Sequence, residues 1–239
     1  NTISGMIKDK YCPTDILMLL INCVTAGMNF VIGGEPGSGK TEFVKFLMQF
    51  IPLEKRVITI EDSLEIHYSE INPEADAVEL RVGEDFSYTD AIKACLRQNP
   101  MWLLLSEARS VEVTSLIEQW STGVNGITTI HLDDLRKLPD RIENMMNDVN
   151  DASRLENRIY RYVNVGVLIR REKEADGGIR RYIDQMCFYV REEHKNRVYM
   201  LVEDGEIISR KIPADIAKRL KLAGIDEFFW CDLDPFIKR

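Results

Sequence analysis

Residues 34–41, Gly34-Glu35-Pro36-Gly37-Ser38-Gly39-Lys40-Thr41, have the composition and spacing of a phosphate-binding loop. The glycines let the backbone bend without Cβ clashes and bring its N–H groups close to phosphate oxygens. A helix opening near Lys40, with Glu42 in its first turn, points its positive end at the same oxygens. The Lys40 ammonium can reach β and γ phosphates, and the Thr41 hydroxyl can ligate Mg²⁺. Several charge-assisted bonds of roughly 1.5–3 kcal/mol each suffice for micromolar binding of a nucleotide by residues 34–42.

Three further polar residues stand just past apolar runs. Glu61 follows the run 56–60, Glu107 follows 101–105 by one residue, and His131 follows 127–130. Glu107 is placed to polarise or deprotonate a water attacking a γ-phosphate and to support a Mg²⁺ shell through water. Ser106 occupies the strand-end position where an Asp would bind the metal directly. Glu61 has a similar argument, shared with Asp62 and Glu65, and His131 can hydrogen-bond a phosphate oxygen. Arg81, Arg97 and Arg109 flank these segments and are candidates for stabilising transferring charge, in cis or from a neighbour. His67 and His194 read as surface residues.

These residues need a scaffold that brings them together, and the chain alternates strand and helix patterns. Strands are expected at 29–32, 56–60, 78–82, 101–105 and 127–130, and helices at 13–26, 42–50, 88–97, 111–120, 134–147 and 151–161. Ser87 or Thr89 would cap the 88–97 helix, and Gly27 would close the first one. That alternation predicts an α/β fold with a mainly parallel sheet flanked by helices. In such sheets ligands bind at the C-terminal strand edge, which is where the loop, Glu61, Glu107 and His131 all fall. Beyond it a strand at 162–169 pairs with 180–191 around Asp176-Gly177-Gly178. A second hairpin turns at Asp204-Gly205, and a helix spans 213–222. The apolar tail Phe228-Phe229-Trp230 is expected to dock on something. The organisation is therefore a linker and leading helix (1–28), an ATPase core (29–161) and a C-terminal hairpin and helical extension of the same domain (162–239).

With 239 residues, 45% hydrophobic and 29% charged, the composition is that of a globular protein. A net charge of −8 argues against non-specific binding to nucleic acid or to an anionic surface. The five scattered cysteines include no CxxC pair, so reduced thiols and a cytoplasmic location are expected. The longest apolar run is far too short to span a bilayer.

Four blocks together resemble the type II/type IV secretion ATPase superfamily, the hexameric traffic ATPases of secretion, conjugation and pilus assembly. Residues 33–41 resemble its Walker A loop, 57–65 its Asp box, 96–109 its Walker B segment and 121–131 its His box. The resemblance covers roughly residues 10–150 and implies a RecA-like P-loop fold using ATP and Mg²⁺. It implies Glu107 as catalytic acid, Glu61 as the Asp-box acid, and His131 as the link between nucleotide state and conformation. Arg81 or Arg97 would reach the γ-phosphate site. Ser106 and Met101 depart from the family pattern, which has Gly and commonly Asp there. The absent paired CxxC element points to the type IV secretion or tad-like pilus branch. By resemblance the chain would assemble into a ring, expected to be a hexamer, and dock on inner-membrane secretion or pilus platform proteins, peripheral to the cytoplasmic membrane. Residues 1–13 would be the linker from an absent N-terminal domain, leaving a fragment that binds ATP, hydrolyses it slowly and assembles poorly. Two other readings stay open: a RecA-like nucleic-acid motor, and a nucleotide-binding assembly module without turnover.

Overall fold

A computed structural model describes residues 2–145 and 152–233. The far end of the expected 134–147 helix, Met146 included, lies outside the described residues. The elements in chain order are α1 (Ile3–Lys8), α2 (Thr14–Thr25), β1 (Phe30–Gly34), α3 (Lys40–Leu47), β2 (Val57–Glu61), α4 (Tyr68–Ile71), β3 (Ala77–Arg81), α5 (Tyr88–Cys95), β4 (Trp102–Leu105), α6 (Glu112–Ser121), β5 (Asn125–Ile130), α7 (Leu138–Glu143), α8 (Ala152–Tyr162), β6 (Val165–Lys173), β7 (Ile179–Glu192), β8 (Lys195–Glu203), β9 (Glu206–Ile207) and α9 (Ala214–Leu222).

The strands form one sheet in the order β3-β2-β4-β5-β1-β6-β7-β8-β9. Pairing is parallel from β3 to β6 and antiparallel from β6 to β9. Alternating side chains along each strand feed two cores. Trp102 and Leu104 pack with α2 and α3 residues such as Leu20, Phe43 and Phe46. Leu103 and Leu105 pack on the other face with Ile92, Leu116 and Ile159 from α5, α6 and α8. Burial on both faces explains why these strands are continuous apolar runs.

Local chemistry sets the ends. Gly27 closes α2 with φ +68°. Ser87 caps α5, and Asp90 reciprocates in a capping box. The structure departs from expectation in three places, and the expected docking of the tail has a definite partner. The expected linker contains α1, capped by the Thr2 hydroxyl. The expected 134–147 helix opens instead with a separate 3₁₀ turn, Leu135–Lys137, before α7. Tyr162 ends α8 rather than starting a strand, so β6 begins at Val165 and runs on to Lys173. The tail docks on its own domain: Asn22 Nδ2 donates to the carbonyls of Phe228 (3.0 Å) and Trp230 (2.7 Å). Among the described residues no helix is long and apolar enough to cross a membrane.

Candidate functional site

β1 delivers the chain into the glycine-rich loop, and α3 leaves it at Lys40. A side chain at Gly34 (φ +151°) would place its Cβ 2.5 Å from Ser38 Oγ and 2.7 Å from the Ile169 carbonyl. Gly37 (φ +73°) and Gly39 (φ +96°) have left-handed backbones, and a Cβ on either would meet an arginine, Arg171 or Arg181, at 3.0 Å. Only glycine leaves this cradle open to a phosphate chain, with the free amides of α3 at its floor. The loop therefore fits a nucleotide's phosphates.

Lys40 is 8% exposed. Its Nζ donates to the carbonyls of Gly34 and Glu35, both at 3.0 Å, and lies 3.3 Å from His131 Nδ1. Burial lowers its pKa, and the nearby Glu107 carboxylate partly offsets that. His131 stands just past β5, with Nδ1 also 3.2 Å from the Gly34 carbonyl and Nε2 2.8 Å from Glu107 Oε1. The ring thus faces the Lys40 ammonium with Nδ1 and the Glu107 carboxylate with Nε2, the latter at ion-pair distance.

Glu107 Oε2 accepts from Arg109 Nε (2.9 Å) and lies 2.7 Å from its Nη2. Arg109 Nη1 donates to Asp62 Oδ2 at 3.0 Å. Lys40, His131, Glu107, Arg109 and Asp62 thus form one connected series across the ends of four strands. The Glu107 hydrogen bond holds the Arg109 pKa above its ordinary value. The turn carrying Glu107 is braced from below. Glu112 Oε1 accepts the backbone N–H of Arg109 (2.6 Å) and Ser110 (2.7 Å), and Thr129 Oγ1 donates to the Ser106 carbonyl (2.6 Å). Tyr88, at the start of α5, lies 3.0 Å from Ser106 Oγ and accepts from the Asp62 amide at 3.1 Å. The serine hydroxyl therefore has a partner here, and burial raises the Tyr88 pKa.

The remaining sequence candidates fall differently. Glu61 is fully buried, and its Oε2 accepts the amides of Glu65 and Ile66, both at 2.9 Å. It shapes the 62–66 loop, and among the described residues no contact joins it to Lys40, His131 or Glu107. Asp62 enters the series instead. Arg81 is exposed, and its Nε donates to the Asp62 carbonyl at 3.3 Å. Arg97 is a correction. α5 runs back from the site, so the turn after it leads into the start of β4, and Arg97 lies at the opposite edge of the sheet within this chain. His67 and His194 are exposed. The sequence marks Asp62 as a rival to Glu61, but carries no signal for Tyr88, Arg171 or Arg181 at this site.

With this geometry in place, a profile described as "Type II/IV secretion system protein" matches residues 9–167. The chain belongs to the type II/IV secretion ATPase superfamily. It is 37% identical to an uncharacterized protein of Bacillus anthracis over 146 residues, 60% of this chain and 33% of that protein. It is 30% identical to type IV secretion system protein VirB11 of Brucella suis over 184 residues, 73% of this chain and 51% of the relative. The crystal structure of the Brucella suis VirB11 ATPase in complex with sulphate superposes with a TM-score of 0.64 at 26% identity, over 78% of this chain and 54% of that one. The pilus retraction motor PilT with bound ADP has the same fold, with a TM-score of 0.60 at 19% identity, over 89% and 55% of the two chains. The fold of this secretion-family chain is thus RecA-like. The chain spans between a third and about half of the length of these curated relatives. Lys40, Glu107 and His131 lie inside the matched span, whereas Arg171 and Arg181 lie outside it.

Proposed function

We propose that this chain is the ATP-hydrolysing motor domain of a traffic ATPase that powers secretion, conjugation or pilus assembly. The observation that carries the reading is the direct line from the phosphate loop to an acid: Lys40 to His131 to Glu107. The substrate phosphates would lie on the loop amides and Lys40, with a water in line with the γ-phosphate. Glu107 takes that water's proton as general base. Arg109 holds one of its oxygens by a hydrogen bond, and His131 Nε2 lies 2.8 Å from the other. Mg²⁺, held by Thr41 and through water by Glu107, would supply charge neutralisation at the β and γ oxygens. The same line runs outward to Arg109 and Asp62, so a change in charge at the phosphates reaches the 62–66 and 107–111 loops.

On this reading the motor acts as a six-membered ring, in keeping with the superfamily, docked on membrane platform proteins at the cytoplasmic face. VirB11's place in a type IV secretion system supports that branch. The test is ATP turnover by this chain against protein concentration, with Glu107→Gln alongside. Specific activity that rises with concentration and disappears in the variant is the expected result. Nucleotide binding with turnover absent at every concentration would leave an assembly module and overturn the motor reading.

A further inference from the structure

The hairpin of β6 and β7 carries arginines at 170, 171, 180 and 181. Strand alternation sends Arg170 and Arg171 to opposite faces. Arg170 is spent: its Nε donates to Asp184 Oδ2 at 2.5 Å and its Nη2 to the Asp133 carbonyl at 3.1 Å. Arg180 is spent as well, its guanidinium lying 4.8 Å over the Tyr182 ring. Arg171 and Arg181 are not. They are direct cross-strand partners, both are exposed, and among the described residues neither has a carboxylate partner.

Their placement comes from a register shift. Leu168 pairs with Gln185 but Ile169 pairs with Ile183, so Asp184 is an extra residue in β7. A bulge of this kind re-aims the residues beyond it. The bulged Asp184 anchors Arg170 and is itself 3% exposed. Beyond it, Arg171 and Arg181 lie over the phosphate loop. Arg171 Nη1 is 3.0 Å from where a Gly37 Cβ would be, and Arg181 Cδ and Nε are 3.0 and 3.4 Å from where a Gly39 Cβ would be.

Like charges directly opposite on a sheet destabilise it. Here two guanidiniums share one cross-strand position beside a third cation, Lys40, and the positive end of α3. Glu42, two residues past Lys40, is paired with Lys45 at 3.0 Å, and Glu172, next to Arg171, accepts from the Tyr182 hydroxyl at 2.6 Å. A bound polyanion would compensate such a grouping. Arg181 also lines a cavity of about 990 Å³ with Gly39, Glu42, Tyr11 and Lys10, large enough for the rest of a nucleotide.

We propose that Arg171 and Arg181 form a clamp, supplied by the same chain, on the phosphate groups of the nucleotide bound at residues 34–41. This rests on the nucleotide reading above and adds two binding residues to it. Arg provides a fork of donors suited to phosphate oxygens, so each should strengthen diphosphate binding about tenfold.

The test is calorimetric titration of the chain with ADP and with adenosine, comparing wild type, Lys40→Ala, Arg171→Gln, Arg181→Gln and the double Gln variant. The expected result is ADP binding by wild type, loss in Lys40→Ala, and Kd raised about tenfold in each single Gln variant. The double variant should fall further and show a shallower salt dependence. Lys at either position keeps the charge but loses the fork, so it should recover part of the affinity, and adenosine titrations should not respond to the substitutions. Gln variants within twofold of wild type, with Lys40→Ala impaired, would overturn the clamp and leave the nucleotide site standing. Equal losses in Gln and Lys variants with a lowered Tm would also overturn it, because the side chains would then serve the fold. Wild type that fails to bind ADP would overturn the nucleotide reading and the clamp with it.

Discussion

Glu107→Gln separates chemistry from folding. The substitution removes the charge that His131 and Arg109 both face, while keeping the side chain's shape. A general base contributes about 10²–10⁴ in rate, or roughly 3–5 kcal/mol at 1.36 kcal/mol per tenfold. The stability effect is of another order. The Glu107 side chain is 15% exposed, but its partners Arg109 and His131 are 57% and 41% exposed. Solvent screening holds such pairs to about 1 kcal/mol or less. Arg109 also keeps Asp62 at 3.0 Å. For a chain of this size, that amounts to a Tm change of about 2–4 °C. Losing a negative charge beside the phosphate loop should leave ATP affinity unchanged or raise it. The assays are single-turnover hydrolysis, ATP titration and thermal unfolding on one preparation. The expected outcome is a rate down at least 100-fold, a Kd no weaker than wild type and a Tm within about 4 °C. A rate within threefold of wild type would refute Glu107 as base, and a Tm fall well beyond that range would refute the surface-pair estimate.

Three further outcomes follow from other parts of the molecule. In Gly126→Ala, the new Cβ would lie 2.5 Å from both the Leu103 carbonyl and Trp120 Nε1. The β4–β5 pairing would have to open, so urea unfolding should show a loss of about 3 kcal/mol. Burial raises the Glu61 pKa above its ordinary 4.5. The folded chain then holds that proton more tightly than the unfolded one, so stability falls as pH rises from 4.5 through the raised value and levels above it. Glu61→Gln lacks that slope, so its stability relative to wild type should climb across the window, and parallel curves would refute this. Burial pushes the thiols of Cys12 and Cys187 up to about 12 and those of Cys95 and Cys231 up to about 11, and raises Cys23 as well. Ellman's reagent near neutral pH should therefore label native thiols slowly, with all five reacting after denaturation.

What was legible in the sequence was local. The glycine loop, the apolar strands and the polar residue after each strand are consecutive in the chain, and parallel topology gathers strand ends at one edge. That is how Lys40, Glu107 and His131 meet. What escaped the sequence depended on contacts that no side-chain pattern encodes. Glu61 turns inward because backbone amides at 65 and 66 satisfy it. Arg97 is near Glu107 in sequence, yet a whole strand separates them in space. Arg171 and Arg181 reach the loop only through the one-residue shift at Asp184, and register shifts leave no mark in composition. Tyr88 finds Ser106 because α5 starts at the same edge where β4 ends.

The way the C-terminal part is fastened bears on where a motor of this kind can move. β6 pairs with β1 over five residues, so the strand leading to the phosphate loop and the strand leading to Arg171 are neighbours in one sheet. At the opposite end of these strands a polar chain secures the joint. Arg219 of α9 donates to the Gly27 carbonyl (2.7 Å) and to Asn164 Oδ1 (2.8 Å). Asn164 Oδ1 also accepts the Asn29 amide (2.9 Å), and Asn29 Oδ1 accepts the Gly126 amide (3.1 Å). Asn29 and Asn164 are 4% and 5% exposed, and burial lowers the Arg219 pKa. Each buried polar group left without its partner costs about 1–3 kcal/mol, and opening this joint strands several at once. A hinge between residues 161 and 162 is therefore the expensive place to move. The half-buried series His131, Glu107, Arg109 and Asp62, open to solvent at Arg109, is the cheap one, since its pairs are screened and end on two loops. Nucleotide-driven motion would then leave this domain rigid and act through those loops on whatever packs against them.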